Sequence, residues 1–550
     1  MRAALVLILW TAQAVADEPR FRDATQEAGL SFRLEASATP RKYLPETMLG
    51  GVALLDYDRD GLLDAFFVNG AELEFPHPPD SEPSKAAARY WNRLYRNQGD
   101  GTFADVTEKT GVQGRGYGMG VAVGDVNNDG YPDLAVTNFA VGESPALLLY
   151  VNVGGERFEE RAEQTGIDAR GWATSAAFLD YDSDGDLDLF VDRYMEWRFN
   201  QDLRCGMETA YGRTFCHPDL FPPISSLLYR NEGDGRFRDV SVETGVAEHL
   251  GKALGVAVAD FNGDGLPDVV VANDSHPQFL FVNQGDGTFE EDGLFSGIAY
   301  DEDGEEFAGM GVAAADLDGD QRTDLVMTTL SPQKYAVYFN RGEEGFDYAA
   351  TESGIGRATQ FSSGWGAGAY DFDNDGLRDL FFANSHVMDN IEQSQPHLRY
   401  REPPMLLVQS NGKFSAFETG LPTRAGRGAA FGDVDNDGDV DVLISNLDGP
   451  PTLALNTTTS GNWITVDLAS CRGTPVGAKV ELEDSAGRRQ TATAGVGGSY
   501  LSSSDHRIHF GLGTSEAKTI RVEWSDRELQ EVATPPTNRI LSLRRGCAAP

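Results

Sequence analysis

Residues 54–64 read LLDYDRDGLLD, with Asp56, Asp58, Asp60 and Asp64 set within nine positions between two apolar runs. One such cluster repels itself and belongs on a solvated turn. The pattern D-x-[DN]-x-D-G-x-x-D recurs six more times, however, at starts 55 to 80 residues apart. The copies place Asp125, Asn127, Asp129 and Asp133; Asp180, Asp182, Asp184 and Asp188; Asp260, Asn262, Asp264 and Asp268 in equivalent positions. Further on they place Asp316, Asp318, Asp320 and Asp324; Asp371, Asp373, Asp375 and Asp379; and Asp433, Asp435, Asp437 and Asp441. Self-similarity at quasi-regular spacing marks a repeat architecture.

The spacing is that of an oxygen cage for a hard cation. Positions 1, 3 and 5 supply side-chain oxygens, glycine at 6 permits the sharp turn, and a carbonyl at 7 and a carboxylate at 9 fill out the shell. The bidentate glutamate at position 12 of a helical calcium loop is missing, and the flanks are strand-like. All-oxygen ligation favours Ca²⁺ over Zn²⁺ or Cu²⁺, so up to seven calcium ions are expected. Gln321 replaces glycine in the fifth copy, and a weaker site is expected there.

Each loop follows a short apolar run (GVALLD, GVAVGD, SAAFLD, GVAVAD, GVAAAD, GAGAYD, GAAFGD) and precedes another (LDAFFVN, PDLAVTN, LDLFVDR and their equivalents). These are strand-length and rich in β-branched and aromatic residues. A third run ends in a Gly-Asp-Gly type hairpin turn, as in RLYRNQGDGTF, and a fourth follows, as in FADVTEKTGV. One unit is thus four antiparallel strands, A to D. The expected fold is all-β, a seven-bladed β-propeller with calcium loops between strands A and B. The seventh unit lacks its fourth strand, while FRDATQEAGL at 21–30 has no A, B and C strands before it. The N-terminal strand is therefore expected to complete the last blade and remove two sheet edges.

The formal net charge is −41, in a chain of 550 residues with 86 acids. Such a surface repels nucleic acid and anionic lipid, so no nucleic-acid partner is expected. MRAALVLILWTAQAVA reads as a signal peptide over 1–16. No later run reaches transmembrane length. The expected location is periplasmic or extracellular, with no membrane span. The economical pairing of the four cysteines is Cys205 with Cys216 and Cys471 with Cys547, one of three connectivities.

From Gly461 the repeat stops, and six to eight short strands are expected over 461–550 as a small all-β domain, leaving 17–460 for the propeller. The aspartate repeats resemble FG-GAP/VCBS repeats, as in the integrin α-subunit propeller. VGAKVELEDSAGRRQTATAGVGGSYLSSSDHRIHFGLG followed by IRVEWSDRELQEV resembles the ASPIC/UnbV domain. The combination is similar to the cartilage acidic protein family and its bacterial-type relatives. That resemblance implies a secreted calcium-binding protein and brings no established catalytic activity.

No H-E-x-x-H, G-x-S-x-G or phosphate loop is present. His506 and His509 are three apart on an expected strand and point to opposite faces. The reading is a binding or adhesion module for an extracellular protein or glycan. The alternatives are a polysaccharide hydrolase or lyase, and a structural protein of the cell envelope. All calcium loops are A–B turns and share one face. The B–C insertions at 70–92, 193–226 and 384–404 share the other, with the D–A connections. Aromatic and basic residues gather there: Arg115, Tyr117, Arg170, Trp172, Trp197, Tyr211, Lys252, Trp365, Arg424 and Arg427. These are the expected ligand-binding rim, since loops on a rigid scaffold usually carry binding.

Overall fold

The computed structural model describes residues 20–546 except 75, 79, 143, 202, 207–211, 459–460, 471–473 and 496–497. The expected signal peptide, the Cys471–Cys547 pairing and Tyr211 lie outside the described residues. Among those described, no helix is long and apolar enough to cross a membrane. The fold is all-β and propeller-like.

Seven four-stranded antiparallel sheets succeed one another along the chain. The first comprises Val52–Leu55, Asp64–Phe67, Arg93–Asn97 and Phe103–Asp105, strands A to D in order. Five more repeat it, with A strands at Tyr117–Gly124, Ala173–Leu179, Ala253–Ala259, Val312–Ala315 and Gly364–Tyr370. In the seventh, Gly426–Gly432, Asp441–Asn446 and Thr452–Asn456 are joined by the N-terminal Phe21–Asp23, antiparallel to Thr452–Asn456. The A strands touch in cyclic order, and the first also touches the seventh.

The reason they approach so closely is written at the head of each A strand. A Cβ on Gly51 would lie 2.6 Å from Gly120 Cα, and one on Gly255 would lie 2.1 Å from Met310 O. The same crowding against the next A strand recurs at Gly120, Gly311 and Gly366, and at Gly428 against Gly50 O. The equivalent position in the third sheet is Ser175, whose hydroxyl donates to Leu254 O at 2.5 Å. The first letters of GVALLD, GVAVGD, SAAFLD and the rest are thus the contact points of a closed ring around an axis.

The C-terminal strands form a three-stranded sheet, ordered Ile508–Gly513, Asn462–Ser470, Ile540–Arg545, and a four-stranded sheet. The latter runs Arg489–Thr493, Lys479–Asp484, Ala517–Glu523, Leu529–Ala533. They enclose a core of their own that includes Ile464, Val480, Phe510, Ile520 and Trp524. His509 lies on a strand as expected, but His506 precedes it, so the two do not share strand alternation. His509 is buried against Asn374 at 2.7 Å and Thr465 at 3.2 Å.

Between the two C-terminal sheets the chain leaves its own core. Residues 498–505, GSYLSSSD, run into the axis of the ring. Ser499 exchanges both backbone hydrogen bonds with Val312 in the fifth sheet, and its hydroxyl donates to Ala429 O in the seventh. Val121 of the second sheet donates to Leu501 O, and Leu501 N donates to the Ser175 hydroxyl of the third. Ser503 N donates to Val52 O and accepts from Leu54 N in the first. Ala367 of the sixth donates to the Ser499 hydroxyl. Six of the seven sheets are thereby bonded to one short segment. The inner edge of each A strand carries unpaired backbone groups that would otherwise lie open along the axis. Tyr500 is fully buried; its hydroxyl donates to Met48 O at 2.6 Å and its ring meets Trp365 at 4.9 Å.

This segment makes the C-terminal region part of the ring's stability. Tyr500→Ala should cost about 3 kcal/mol or more, the range for emptying a buried aromatic site. Equilibrium urea unfolding checks it. A change within 0.5 kcal/mol would show that the axis holds without this side chain.

Candidate metal centres and the capped opposite face

All seven aspartate loops share one backbone geometry. Position 4 has positive φ in each: Arg59, Asn128, Ser183, Gly263, Gly319, Asn374 and Asn436. Position 6 does as well, from Gly265 at 85° to Gly438 at 96°. Gln321 holds φ 73° there, so the fifth loop keeps the turn that glycine supplies elsewhere, at the strain of a side chain in the left-handed region. Position 1 accepts backbone N–H groups from the loop's own turn, as Asp56 does from Asp60 and Gly61 at 3.0 and 2.8 Å.

Three carboxylates come within 4.8 Å of one another in five loops: Asp56, Asp58 and Asp64; Asp180, Asp182 and Asp188; Asp316, Asp318 and Asp320; Asp371, Asp373 and Asp379; Asp433, Asp435 and Asp441. The second and fourth loops carry Asn127 and Asn262 at position 3, which supplies an amide oxygen in place of a carboxylate. Asp58 Oδ1 and Asp182 Oδ1, both at position 3, are buried with no hydrogen-bond partner. Unpartnered anionic oxygens converging on a turn fit a divalent cation with oxygen ligands. Arg96 offsets part of the charge at the first loop, through Asp58 and Asp60, and Arg341 and Arg322 do so at the fifth, through Asp318 and Asp320; an ion would supply the rest.

The ninth position does something the spacing alone did not announce. Asp64, Asp133, Asp188, Asp268, Asp324, Asp379 and Asp441 are all buried, the last of each loop and the first of each B strand. One oxygen accepts the N–H of loop position 2, as from Tyr57 to Asp64 at 3.1 Å. The other accepts the N–H of a residue at the end of strand C, as from Asn97 at 2.8 Å. That residue is Asn97, Asn152, Asn231, Asn283, Asn340, Gln409 or Asn456. Its side-chain amide then donates to the position 2 carbonyl of the preceding sheet's loop. Asn152 reaches Tyr57 O at 2.9 Å and Asn231 reaches Val126 O at 2.8 Å. The series continues to Tyr181, Phe261, Leu317 and Phe372. Asn97 of the first sheet reaches Val434 O of the seventh at 3.0 Å and closes the cycle. The signal was present in RLYRN, LLYVN and LLYRN, but its partner lies a full repeat away.

The opposite face differs from the open rim that was expected. The connection from Ala24 to Gly50 crosses it and joins the central core with Trp172, Trp197 and Phe215. Trp172 is 1 % exposed, wedged among Phe139, Tyr194 and Trp197. Trp197 packs on Tyr43 at 5.7 Å. Tyr117 is fully buried and donates to Ala36 O at 2.7 Å. Trp365 lies under the Arg427 guanidinium, 4.1 Å from its ring, and Arg427 is itself buried with Nε donating to Thr47 O. Lys252 is buried and faces Asp219 at 3.2 Å. Lys252 is closed off beside Asp219 of the 193–226 insertion, and the other five fill the interior because the N-terminal connection supplies an apolar cover the repeat pattern does not encode. Of the expected rim, Arg115 and Arg170 remain at the surface, paired with Glu160 and Asp168, and Arg424 is half-buried near Asp23. The Cys205–Cys216 disulfide ties one of the long insertions, as expected.

Burial raises the ninth-position carboxyls above their ordinary range when no cation is bound. Asp64 rises to about 8, Asp188 to about 9, and Asp268 and Asp324 to about 7. Between pH 4 and 9 the folded chain then binds more protons than the unfolded one, so stability falls as pH rises. Chelated protein should therefore melt at progressively lower temperature from pH 5 to pH 9, and cation-loaded protein should show a much flatter profile. A chelated melting temperature that rises over this interval would contradict the assignment. Separately, Asn152→Ala leaves Tyr57 O and Pro132 O without that amide donor and should cost about 1–3 kcal/mol in urea unfolding.

The family model for the FG-GAP-like repeat matches residues 56–136, 138–191, 225–271, 260–327 and 316–382, and that for ASPIC and UnbV matches 472–550. Cartilage acidic protein 1 of Homo sapiens is 25 % identical over 562 aligned residues, covering 98 % of this chain and 78 % of that protein. The Mus musculus protein of the same name is 26 % identical over 490, covering 77 % and 73 %. Among solved structures, an Agrocybe aegerita lectin recognising non-reducing terminal N-acetylglucosamine aligns with TM-score 0.39 and 17 % identity, over 73 % of this chain and 87 % of that one.

Proposed function

Because the chain belongs to the FG-GAP-like repeat family and ends in an ASPIC and UnbV domain, we propose that it is an exported, calcium-loaded binding module. In this reading residues 1–16 direct export, 17–460 form a seven-bladed propeller closed by the N-terminal strand, and 461–550 form the second domain. The observation that carries it is the backbone turn shared by seven oxygen-rich loops, each braced by its ninth-position aspartate on a strand C residue whose amide reaches the neighbouring sheet. Calcium at the loops is then structural: binding energy becomes folding energy. A disulfide within a surface insertion suits an oxidising compartment.

The partner is an extracellular protein or glycan. With the central aromatics withdrawn under the N-terminal connection, recognition falls to the outer surface of the long insertions and D–A connections. Arg115 and Arg170 are its cationic points. The rigid ring holds these loops in fixed relation, which lowers the ordering cost of association.

Chelation should lower the melting temperature, and calcium should restore it more effectively than equal magnesium. Sites of this extracellular kind bind with Kd on the order of 10⁻⁴ to 10⁻³ M. Differential scanning calorimetry on demonstrably metal-free protein checks it; an unchanged transition on adding calcium would remove the metal from the account. For the partner, Arg115→Glu with Arg170→Glu should abolish capture on a glycan or protein array while leaving the calcium-dependent transition intact.

A further inference from the structure

The segment 498–505 does not fill the axis evenly. Past Leu501 it leans on the first and seventh sheets through Val52, Leu54 and Phe431. On the side of the third to sixth sheets the A strands present small residues, among them Ala176, Ala314 and Ala369, all only half-buried. The result is a chamber of about 460 Å³ between the aspartate-loop side of the ring and the C-terminal strands. That volume is in the range of small-molecule sites. Its surface is mixed, with apolar strand walls and charged groups on the loops and on the C-terminal sheets.

The charges divide into two sets. Asp180, Asp260, Asp264 and Asp316 line the chamber, but each belongs to an aspartate loop. Asp505 is paired with Arg507 at 2.7 Å. Of the groups left over, Glu523 stands opposite Lys479 in the strand register, and Arg378, Lys479 and Arg527 are cationic, so the cations outnumber the acid. Arg378 uses one of its donors, at 3.3 Å to His509 O, lies over the Phe510 ring at 5.9 Å, and makes no ion pair among the described residues. Lys479, on the facing C-terminal strand, makes neither a hydrogen bond nor an ion pair among the described residues. A guanidinium with free donors and an ammonium, set against alanine walls, recognise an anion with an apolar body.

We propose that this chamber binds a small organic anion, a carboxylate or sulfonate on a compact apolar body, with Arg378 and Lys479 holding the charge. The proposal rests on the calcium reading in one respect. Cations in the loops neutralise the aspartates that face the chamber and leave its net charge positive.

The test uses the full-length, calcium-saturated protein titrated with 8-anilino-1-naphthalenesulfonate by fluorescence and calorimetry. Its neutral counterpart, N-phenyl-1-naphthylamine, serves as the control. The expected result is one site per chain, with the neutral compound bound at least tenfold more weakly. Lys479→Gln and Arg378→Gln should each weaken the sulfonate at least tenfold, and Ala314→Leu should exclude both compounds. Lys479 is exposed, so its variant remains informative should Arg378→Gln fail to fold. No saturable binding to the native protein, equal binding of the neutral compound, or unchanged affinity in Lys479→Gln would each overturn the proposal. The calcium-dependent melting transition is recorded on the same samples. A transition that responds to calcium without sulfonate binding sinks the chamber alone; one that ignores calcium sinks the metal reading, and the site's charge preference is then judged on the titration itself.

Discussion

The ring depends on a buried carboxylate coupled to a strand C amide that reaches the neighbouring sheet. Each ninth-position aspartate receives the N–H of its own loop and the N–H of strand C, and the strand C amide reaches back to the preceding loop. A buried carboxylate without compensation is costly. Here backbone donors compensate part of that cost, and the same hydrogen bonds fix the loop, the sheet and the junction between sheets. A cation bound at the loop would therefore act on the packing of neighbouring sheets as well as on its own turn.

Around that cycle the interior is closed from both ends. The connection from Ala24 to Gly50 covers one mouth, and the segment 498–505 enters from the other. They meet at the axis, where the Tyr500 hydroxyl donates to Met48 O. Residues separated by 452 positions thus share one hydrogen bond. The glycines at the heads of the A strands permit this: the strands approach so closely that only a thin segment of glycine and serine, with one tyrosine, one leucine and a final aspartate, fits between them.

A molecule so closed leaves two regions open, its periphery and the space beside its own plug. The outer connections are spaced by the ring, and the chamber beside residues 498–505 has alanines such as Ala176, Ala314 and Ala369 in its strand walls. The aromatic side chains that looked available for binding are instead what hold the cover down. Trp172, Trp197 and Trp365 contribute stability through buried area and ring contacts.

What the sequence by itself determined is local. The D-x-[DN]-x-D-G-x-x-D spacing encodes the loop, because the ligand positions lie within one turn and the positive-φ positions carry glycine, asparagine or serine in all but Arg59 and Gln321. Apolar runs on either side encode two strands, and the count of incomplete motifs at the two ends predicts that the N-terminus joins the last sheet, where Phe21–Asp23 is found. Tertiary structure alone decided which charged and aromatic residues face water. Trp172 and Arg427 read as rim residues because burial is not a property of a residue's neighbours in the chain. It depends on a connection and a C-terminal segment that lie far from them in sequence. The asparagine bridges were unreadable for the same reason: donor and acceptor come from different repeats, and no periodicity within one repeat records a bond made to the next.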